Sequence, residues 1–180
     1  MKGRNMSRWR DPSKDPRAEH KTNLITPAGY ERLKSTREWL WRVKHPELAQ
    51  KVNEAAANGD RSENADYTYN KRELNRTLSR IRYLDIRLDA LQVVDRLPAD
   101  PGKIYFGALV TLEDEDTGAE AHYRIVGPDE ADASKGALSI DAPFVRQLLG
   151  KGLDDIVTQP QGEGPDISWI ITAIQYPDFH

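Results

Sequence analysis

Gly59-Asp60-Arg61-Ser62-Glu63-Asn64-Ala65-Asp66-Tyr67 interrupts an otherwise long amphipathic pattern and decides how the first half of the chain folds. Residues 27–58 and 63–94, on either side of the break, are each 32 positions long. As helices they would each span about 48 Å at 1.5 Å per residue. Two helices of equal length joined by a tight turn fold back as an antiparallel hairpin. The turn then lies at the far end of a rod, and it carries two carboxylates, Asp60 and Glu63. Acid groups held so far from the rest of the chain are placed to act on something else.

The first helix is expected to open at Thr26-Pro27, with Thr as N-cap and Pro at the first helical position. Its apolar stripe is Tyr30, Leu33, Leu40, Leu48, Val52 and Ala55. Pro46 falls inside this segment and should kink it or remove one backbone hydrogen bond. The second helix carries Leu74, Leu78, Ile81, Leu84, Leu88 and Leu91, at spacings of three and four that describe a coiled-coil seam. A core helix of a compact bundle has the same pattern, but the matched lengths and the lack of further long helices favour a rod. Trp39, Trp41 and Trp169 read as packing residues.

Outside the hairpin the pattern changes. Residues 1–22 contain Arg4, Arg8, Arg10, Pro12, Pro16 and Arg17 with no apolar period and are expected to form a disordered basic tail. Val93 to Asp100 reads as a linker. Ile104–Leu112, Ala121–Val126, Ala137–Ile140, Ile156–Thr158 and Ser168–Tyr176 read as short strands, with Asp114-Glu115-Asp116-Thr117-Gly118 as a turn. Pro143–Leu149 is a candidate short helix ending at Gly150. The expected class is α+β. It has a tail over 1–22, an antiparallel coiled-coil domain over 23–96 with its acidic tip at 59–66, and a small antiparallel-sheet domain over 97–180.

Composition narrows the function. The chain has no cysteine, which excludes a disulfide framework and thiolate metal sites. No apolar run approaches membrane-span length and no signal peptide is visible, so a soluble cytoplasmic protein is expected. The formal charge of -3 conceals an asymmetry. Residues 1–26 hold seven Lys/Arg against three Asp/Glu, residues 27–94 thirteen against ten, and residues 95–180 six against sixteen. A basic rod and an acidic body suit different partners. There is no P-loop, zinc spacing or Ser-His-Asp pattern, and the histidines at 20, 45, 122 and 180 have no metal-ligand spacing.

Two exposed carboxylates are too few for Mg²⁺, which prefers six oxygen ligands. They become useful when added to carboxylates and phosphates held elsewhere, as in two-metal hydrolysis. Asp60-x-x-Glu63 also has capping-box spacing, and Ser62 is a candidate cap for the second helix. Asp66 reads as a first-turn residue favoured by the helix dipole, and Asn64 and Tyr67 as residues that shape the turn. Arg72, Arg76 and Arg80 recur every four positions, Arg87 follows seven later, and Lys71 and Arg82 flank them. Such a stripe suits a phosphate backbone, and Tyr67 and Tyr69 are placed to stack on a base. A solvated helix face is the plainer alternative, although the second helix has no acid between Glu73 and Asp85 to pair with the middle arginines.

The turn resembles the tip signature of the bacterial Gre transcript-cleavage factors. Thr26-Pro27-Ala28-Gly29-Tyr30-Glu31-Arg32-Leu33-Lys34, Leu40-Trp41-Arg42, Asp66-Tyr67-Thr68-Tyr69-Asn70-Lys71 and Ile104-Tyr105-Phe106-Gly107-Ala108 resemble the GreB branch. Tyr123-Arg124-Ile125-Val126-Gly127-Pro128-Asp129-Glu130-Ala131-Asp132 and Ser139-Ile140-Asp141-Ala142-Pro143 are similar to its C-terminal motifs. The resemblance covers about residues 24–176, in order. It implies an FKBP-like C-terminal domain without isomerase activity, docked on the rim of the RNA polymerase secondary channel through the surroundings of Asp129, Glu130, Asp132, Ser139 and Pro143. The rod would enter the channel as a single copy. Asp60 and Glu63 would help the polymerase hold its second Mg²⁺ and a water, so that backtracked RNA is cleaved. Lys71, Arg72, Arg76 and Arg80 would then lie along the RNA 3′ segment. The chain would be an activator of the polymerase's own chemistry, not itself an enzyme. The tail and the Gln161-Gly162-Glu163-Gly164-Pro165 turn depart from the family pattern. The alternatives are a channel-binding regulator that does not stimulate cleavage, a prolyl isomerase with a coiled-coil arm, and a coiled-coil adaptor.

Overall fold

The computed structural model describes residues 21–59 and 64–177. They divide into two compact units, one over residues 23–95 and one from Arg96 onward that includes Thr22. The reading of a basic tail falls, apart from Lys21 and Thr22, outside the described residues.

The first unit is a helical hairpin. Its elements are β1 (Leu24–Ile25), α1 (Pro27–Trp39), a π-helical stretch over Leu40–Lys44, α2 (His45–Ala57), α3 (Ala65–Ala90) and β2 (Gln92–Val93). Thr26 caps α1 by accepting the Gly29 N–H at 3.0 Å, and Pro27 follows where its missing N–H costs nothing. Pro46 has no N–H for the carbonyl of Arg42. The turn before it widens, and the His45 N–H reaches back five residues to the Leu40 carbonyl. The disturbance expected at Pro46 therefore takes the form of a π turn immediately upstream. Arg37 bonds Asp85 at 2.7 Å and Asn64 bonds Ala55 at 2.7 Å, so α1 and α2 run antiparallel to α3. Leu48, Ala55, Ile81 and Leu84 are buried between the helices, with Leu33, Leu40, Val52, Leu74, Leu78 and Leu88 half-buried beside them. This is the apolar seam read from the spacing.

The ends of the hairpin differ from expectation. The second helix stops at Ala90, and Leu91 turns extended at φ -71, ψ 138. Gln92 and Val93 then pair in parallel with Leu24 and Ile25. The Gln92 N–H donates to the Asn23 carbonyl at 2.7 Å and the Val94 N–H to that of Ile25 at 2.9 Å. Ile25 is fully buried under this pair. Arg87, read as an extension of the basic stripe, is instead buried and donates to Asn23 Oδ1 at 2.8 Å. Trp39 and Trp41, read as packing residues, are 52% and 48% exposed, and Trp41 stacks on His45 at 5.2 Å. Trp169 does pack: it is buried, and its Nε1 donates to Gln159 Oε1 at 2.9 Å.

The second unit is a five-stranded sheet in the order β5-β4-β3-β7-β6. Its strands are β3 (Leu109–Asp114), β4 (Glu120–Val126), β5 (Ala137–Ser139), β6 (Ile156–Gln159) and β7 (Ile167–Gln175), and α4 (Pro143–Leu148) lies between β5 and β6 in sequence. The expected sheet was antiparallel throughout. The observed one is mixed, because β5 runs parallel to β4 with Arg124 opposite Ala137 and Val126 opposite Ser139. Residues 127–136 carry the chain back along β4 before β5 begins, through a 3₁₀ turn at Ala133–Lys135. Ile104–Ala108, expected in the first strand, is irregular. Its backbone bonds a residue just after α4 and one residue of β4, with the Gly150 N–H on the Ile104 carbonyl at 2.8 Å and the Gly107 N–H on that of Ile125 at 2.8 Å. Its side chains still enter the core, where Ile104, Ala108, Val110, Leu112, Ile125, Val145, Leu148 and Ile171 are fully buried. The turn at 114–118 is present. The Asp114 carboxylate accepts the Asp116 N–H at 2.9 Å, and the Thr117 hydroxyl is the main influence holding its carboxyl below the usual range.

Gly136 sits at φ 69, and a Cβ there would meet the His122 carbonyl oxygen at 2.8 Å. Both facts exclude other residues. Gly136→Ala is expected to destabilise the sheet unit by about 1–3 kcal/mol, read as a lower denaturation midpoint by circular dichroism or tryptophan fluorescence.

Candidate functional site at the hairpin turn

A helix start leaves N–H groups without partners and a helix end leaves carbonyls without them. At the turn both deficits meet, and Asn64 serves both. Its Oδ1 accepts the Tyr67 N–H at 3.0 Å, capping α3, while its Nδ2 donates to the Ala55 carbonyl at 2.7 Å, closing off α2. The Thr68 hydroxyl donates to the Asn64 carbonyl at 3.2 Å. The N-cap is therefore Asn64, not Ser62, and α3 begins after the Asp60-x-x-Glu63 spacing has ended. Asp66 stands in the first turn of α3, where the helix dipole favours a carboxylate. Asp60 and Glu63 themselves lie outside the described residues.

Beyond the turn, Thr68, Lys71, Arg72, Asn75, Arg76 and Ser79 line a shallow open groove along the outer face of α3. The helical repeat of i, i+4 and i+7 puts them there. Three of the predicted cations thus share one concavity. Their surroundings differ. The Lys71 ammonium lies 5.3 Å from the Tyr67 ring centroid and 3.3 Å from its hydroxyl. The Arg80 guanidinium lies 5.0 Å from the Tyr83 ring centroid. Arg76 bonds Glu73 at 2.6 Å, so it has the partner that the acid-poor sequence did not suggest. Among the described residues no ion pair reaches Arg72. Thr68, Asn75 and Ser79 were not singled out by sequence, although their spacing with Lys71 and Arg72 was there to read.

The predicted docking residues fall into two neighbouring stretches of the sheet unit. Asp129, Glu130 and Asp132 lie on the connection between β4 and β5, Ser139 ends β5, and Pro143 opens α4. Asp132 shapes its own loop. Its carboxylate accepts the Ser134 hydroxyl at 2.5 Å and N–H at 3.2 Å, and it pairs with Lys135 at 3.1 Å. The Ser134 hydroxyl first, and then Lys135, hold its carboxyl below the usual range. A carboxyl lowered on folding adds stability above its unfolded value, and that contribution is lost as the pH falls through the folded value. The Ser139 hydroxyl accepts the Asp141 N–H at 3.1 Å. Among the described residues no group of three or more His, Cys, Asp or Glu is arranged to hold a metal ion.

Comparison with known proteins fits this arrangement. Residues 23–93 match the family model described as transcription elongation factor, N-terminal, and residues 99–176 match transcription elongation factor, GreA/GreB, C-term. The chain is 53% identical over 150 residues to the transcription elongation factor GreB of Xanthomonas axonopodis pv. citri, covering 83% of this chain and 86% of that protein. It is 50% identical over 174 residues to GreB of Pseudomonas aeruginosa, covering 96% and 98% of the two chains. Among solved structures, GreA factor homolog 1 of Thermus thermophilus matches with a TM-score of 0.39 at 25% identity, covering 84% of this chain and 97% of that one. The chain belongs to the GreA/GreB family of transcription elongation factors. Within that family, both of these curated relatives are GreB proteins.

The double bond made by Asn64 separates into parts by mutation. Asn64→Asp keeps the cap on Tyr67 and loses the donor to Ala55, whereas Asn64→Ala loses both. The Ala55 carbonyl keeps the Asn58 N–H at 3.3 Å, so the expected costs are about 1 kcal/mol for the lost cap and about 0.5–1.5 kcal/mol for the lost amide bond. Alanine should therefore be the more destabilising change in thermal unfolding.

Proposed function

We propose that this elongation factor inserts the turn of its hairpin into the secondary channel of RNA polymerase and stimulates the polymerase's own cleavage of backtracked RNA. The observation that carries the proposal is the pair Asp60 and Glu63 between two helices whose facing ends are tied by Asn64. Membership of a family of transcription elongation factors supports RNA polymerase as the partner. Two carboxylates fall far short of six oxygen ligands, so they fit a shared role in which the polymerase supplies most of the site. A Mg²⁺ ion held there would stabilise charge on the oxygens of the broken phosphodiester. Asp60 and Glu63 would add ligand oxygens and hold the attacking water in hydrogen-bond reach.

The remaining residues take supporting roles. Lys71, Arg72, Arg76 and Arg80 would hold the extruded 3′ segment by its phosphates, a contact without sequence preference and sensitive to salt. Asp129, Glu130, Ser139 and Pro143 would dock on the channel rim, and Asp132 would keep their loop in shape through Ser134 and Lys135. The chain would act as a single copy in the cytoplasm, as an activator and not as an enzyme. Asp60 and Glu63 are what a channel-binding regulator without cleavage activity would have no need of.

Arrested polymerase complexes test this directly. Asp60→Asn and Glu63→Gln should each lower RNA cleavage by at least about 10- to 100-fold, the range for groups that only support a metal's ligands. Binding to polymerase and thermal stability should stay at the parent's level. Full cleavage by both variants would remove the carboxylates from the mechanism.

A further inference from the structure

We infer that Glu73 competes with RNA phosphate for Arg76, so that the groove on α3 holds RNA less tightly than its cations alone would allow. The inference rests on the proposed channel-entering function and concerns the strength of the groove within it.

The cations along α3 are not equivalent. Lys71 lies against the Tyr67 ring and Arg80 against the Tyr83 ring, and an aromatic face leaves the full positive charge in place. Arg72 lines the groove with no ion pair among the described residues. Among the described residues Arg76 alone of the four has a carboxylate on it, with its Nη1 2.6 Å from Glu73 Oε1. The Glu73 side chain is 29% exposed, while the Arg76 side chain is 69% exposed. Glu73 is not a groove-lining residue, but it holds a nitrogen of one that is.

A phosphate that takes the Arg76 fork must displace this carboxylate and then remain close to its negative charge. Exposed pairs three residues apart are weak, so displacement is feasible and the penalty is moderate. The pair has little to do for the fold, because the buried seam of Ile81 and Leu84 fixes α3. A glutamate at this place subtracts from the one property of the groove that attracts RNA. A factor tuned in this way would release the RNA segment more readily after each cut.

The test is the concentration of full-length factor giving half-maximal RNA cleavage in arrested polymerase complexes, at low and moderate salt, on RNA backtracked shallowly and deeply. Glu73→Gln should lower that concentration roughly two- to fivefold at low salt. The gain should be larger on deeply backtracked RNA and should steepen the logarithmic salt dependence by about 0.7, the value for one more phosphate on a single strand. It should vanish when Arg76→Ala is already present. Glu73→Gln behaving as the parent, while Arg72→Ala or Arg76→Ala weakens cleavage, would overturn the competitor role and leave the groove intact. An equal gain on both substrates would assign Arg76 to a carboxylate of the polymerase, also against the inference. No effect from any groove variant would remove RNA from the groove altogether. A parent chain that stimulates no cleavage would instead overturn the proposed function itself.

Discussion

A single side chain, Asn64, caps α3 and ties it to the last turn of α2, and the placing of the turn depends on that tie. Its amide supplies an acceptor to the N–H of Tyr67 and a donor to the carbonyl of Ala55. The primary amide puts an acceptor and a donor on separate atoms of one side chain, whereas an aspartate cap would keep the acceptor for α3 and lose the donor to Ala55. Because the bond crosses from one helix to the other, it also sets their register at the turn. The seam of Leu48, Ala55, Ile81 and Leu84 carries that register along the hairpin, and the pairing of Leu24–Ile25 with Gln92–Val93 closes its other end. Burial of each large apolar side chain contributes about 1.5–3 kcal/mol, so the seam dominates and Asn64 specifies.

The helices, the seam and the turn were legible in the sequence because each rests on local spacing. Leucines three and four apart in α3 can face only one way, and Gly59 marks the break before it, although the observed helical segments, 27–57 and Ala65–Ala90, are not the equal lengths read from the pattern. Less legible was anything that depends on pairing between distant segments. Nothing local in Gln92-Val93 marks it as a partner for Leu24-Ile25, and Arg87 looks like a surface arginine until Asn23 is brought to it. The mixed character of the sheet was hidden for the same reason. A strand of three residues, Ala137–Ser139, has no pattern that distinguishes parallel from antiparallel neighbours.

The site was legible in type and incomplete in detail. The spacing of Arg72, Arg76 and Arg80 placed them on one face, but their separate environments follow from neighbours whose side chains reach three or four residues along the helix. Glu73 holds Arg76, and the Tyr67 and Tyr83 rings lie against Lys71 and Arg80. A proline announced a disturbance at position 46. Its outcome, a π turn over Leu40–Lys44 beside two half-exposed tryptophans, required the backbone to be seen. Asn64 was read correctly as a residue of the turn, although its second bond was not foreseen.

The central claim is that Asp60 and Glu63 complete a metal site whose other ligands belong to the polymerase. Its most direct measurement is the rate of RNA cleavage by arrested complexes across a range of Mg²⁺ concentrations, with and without the chain. If the carboxylates help to hold the ion, the chain will lower the Mg²⁺ concentration needed for half-maximal cleavage as well as raise the rate. A chain that leaves both the Mg²⁺ requirement and the rate unchanged would contradict the account.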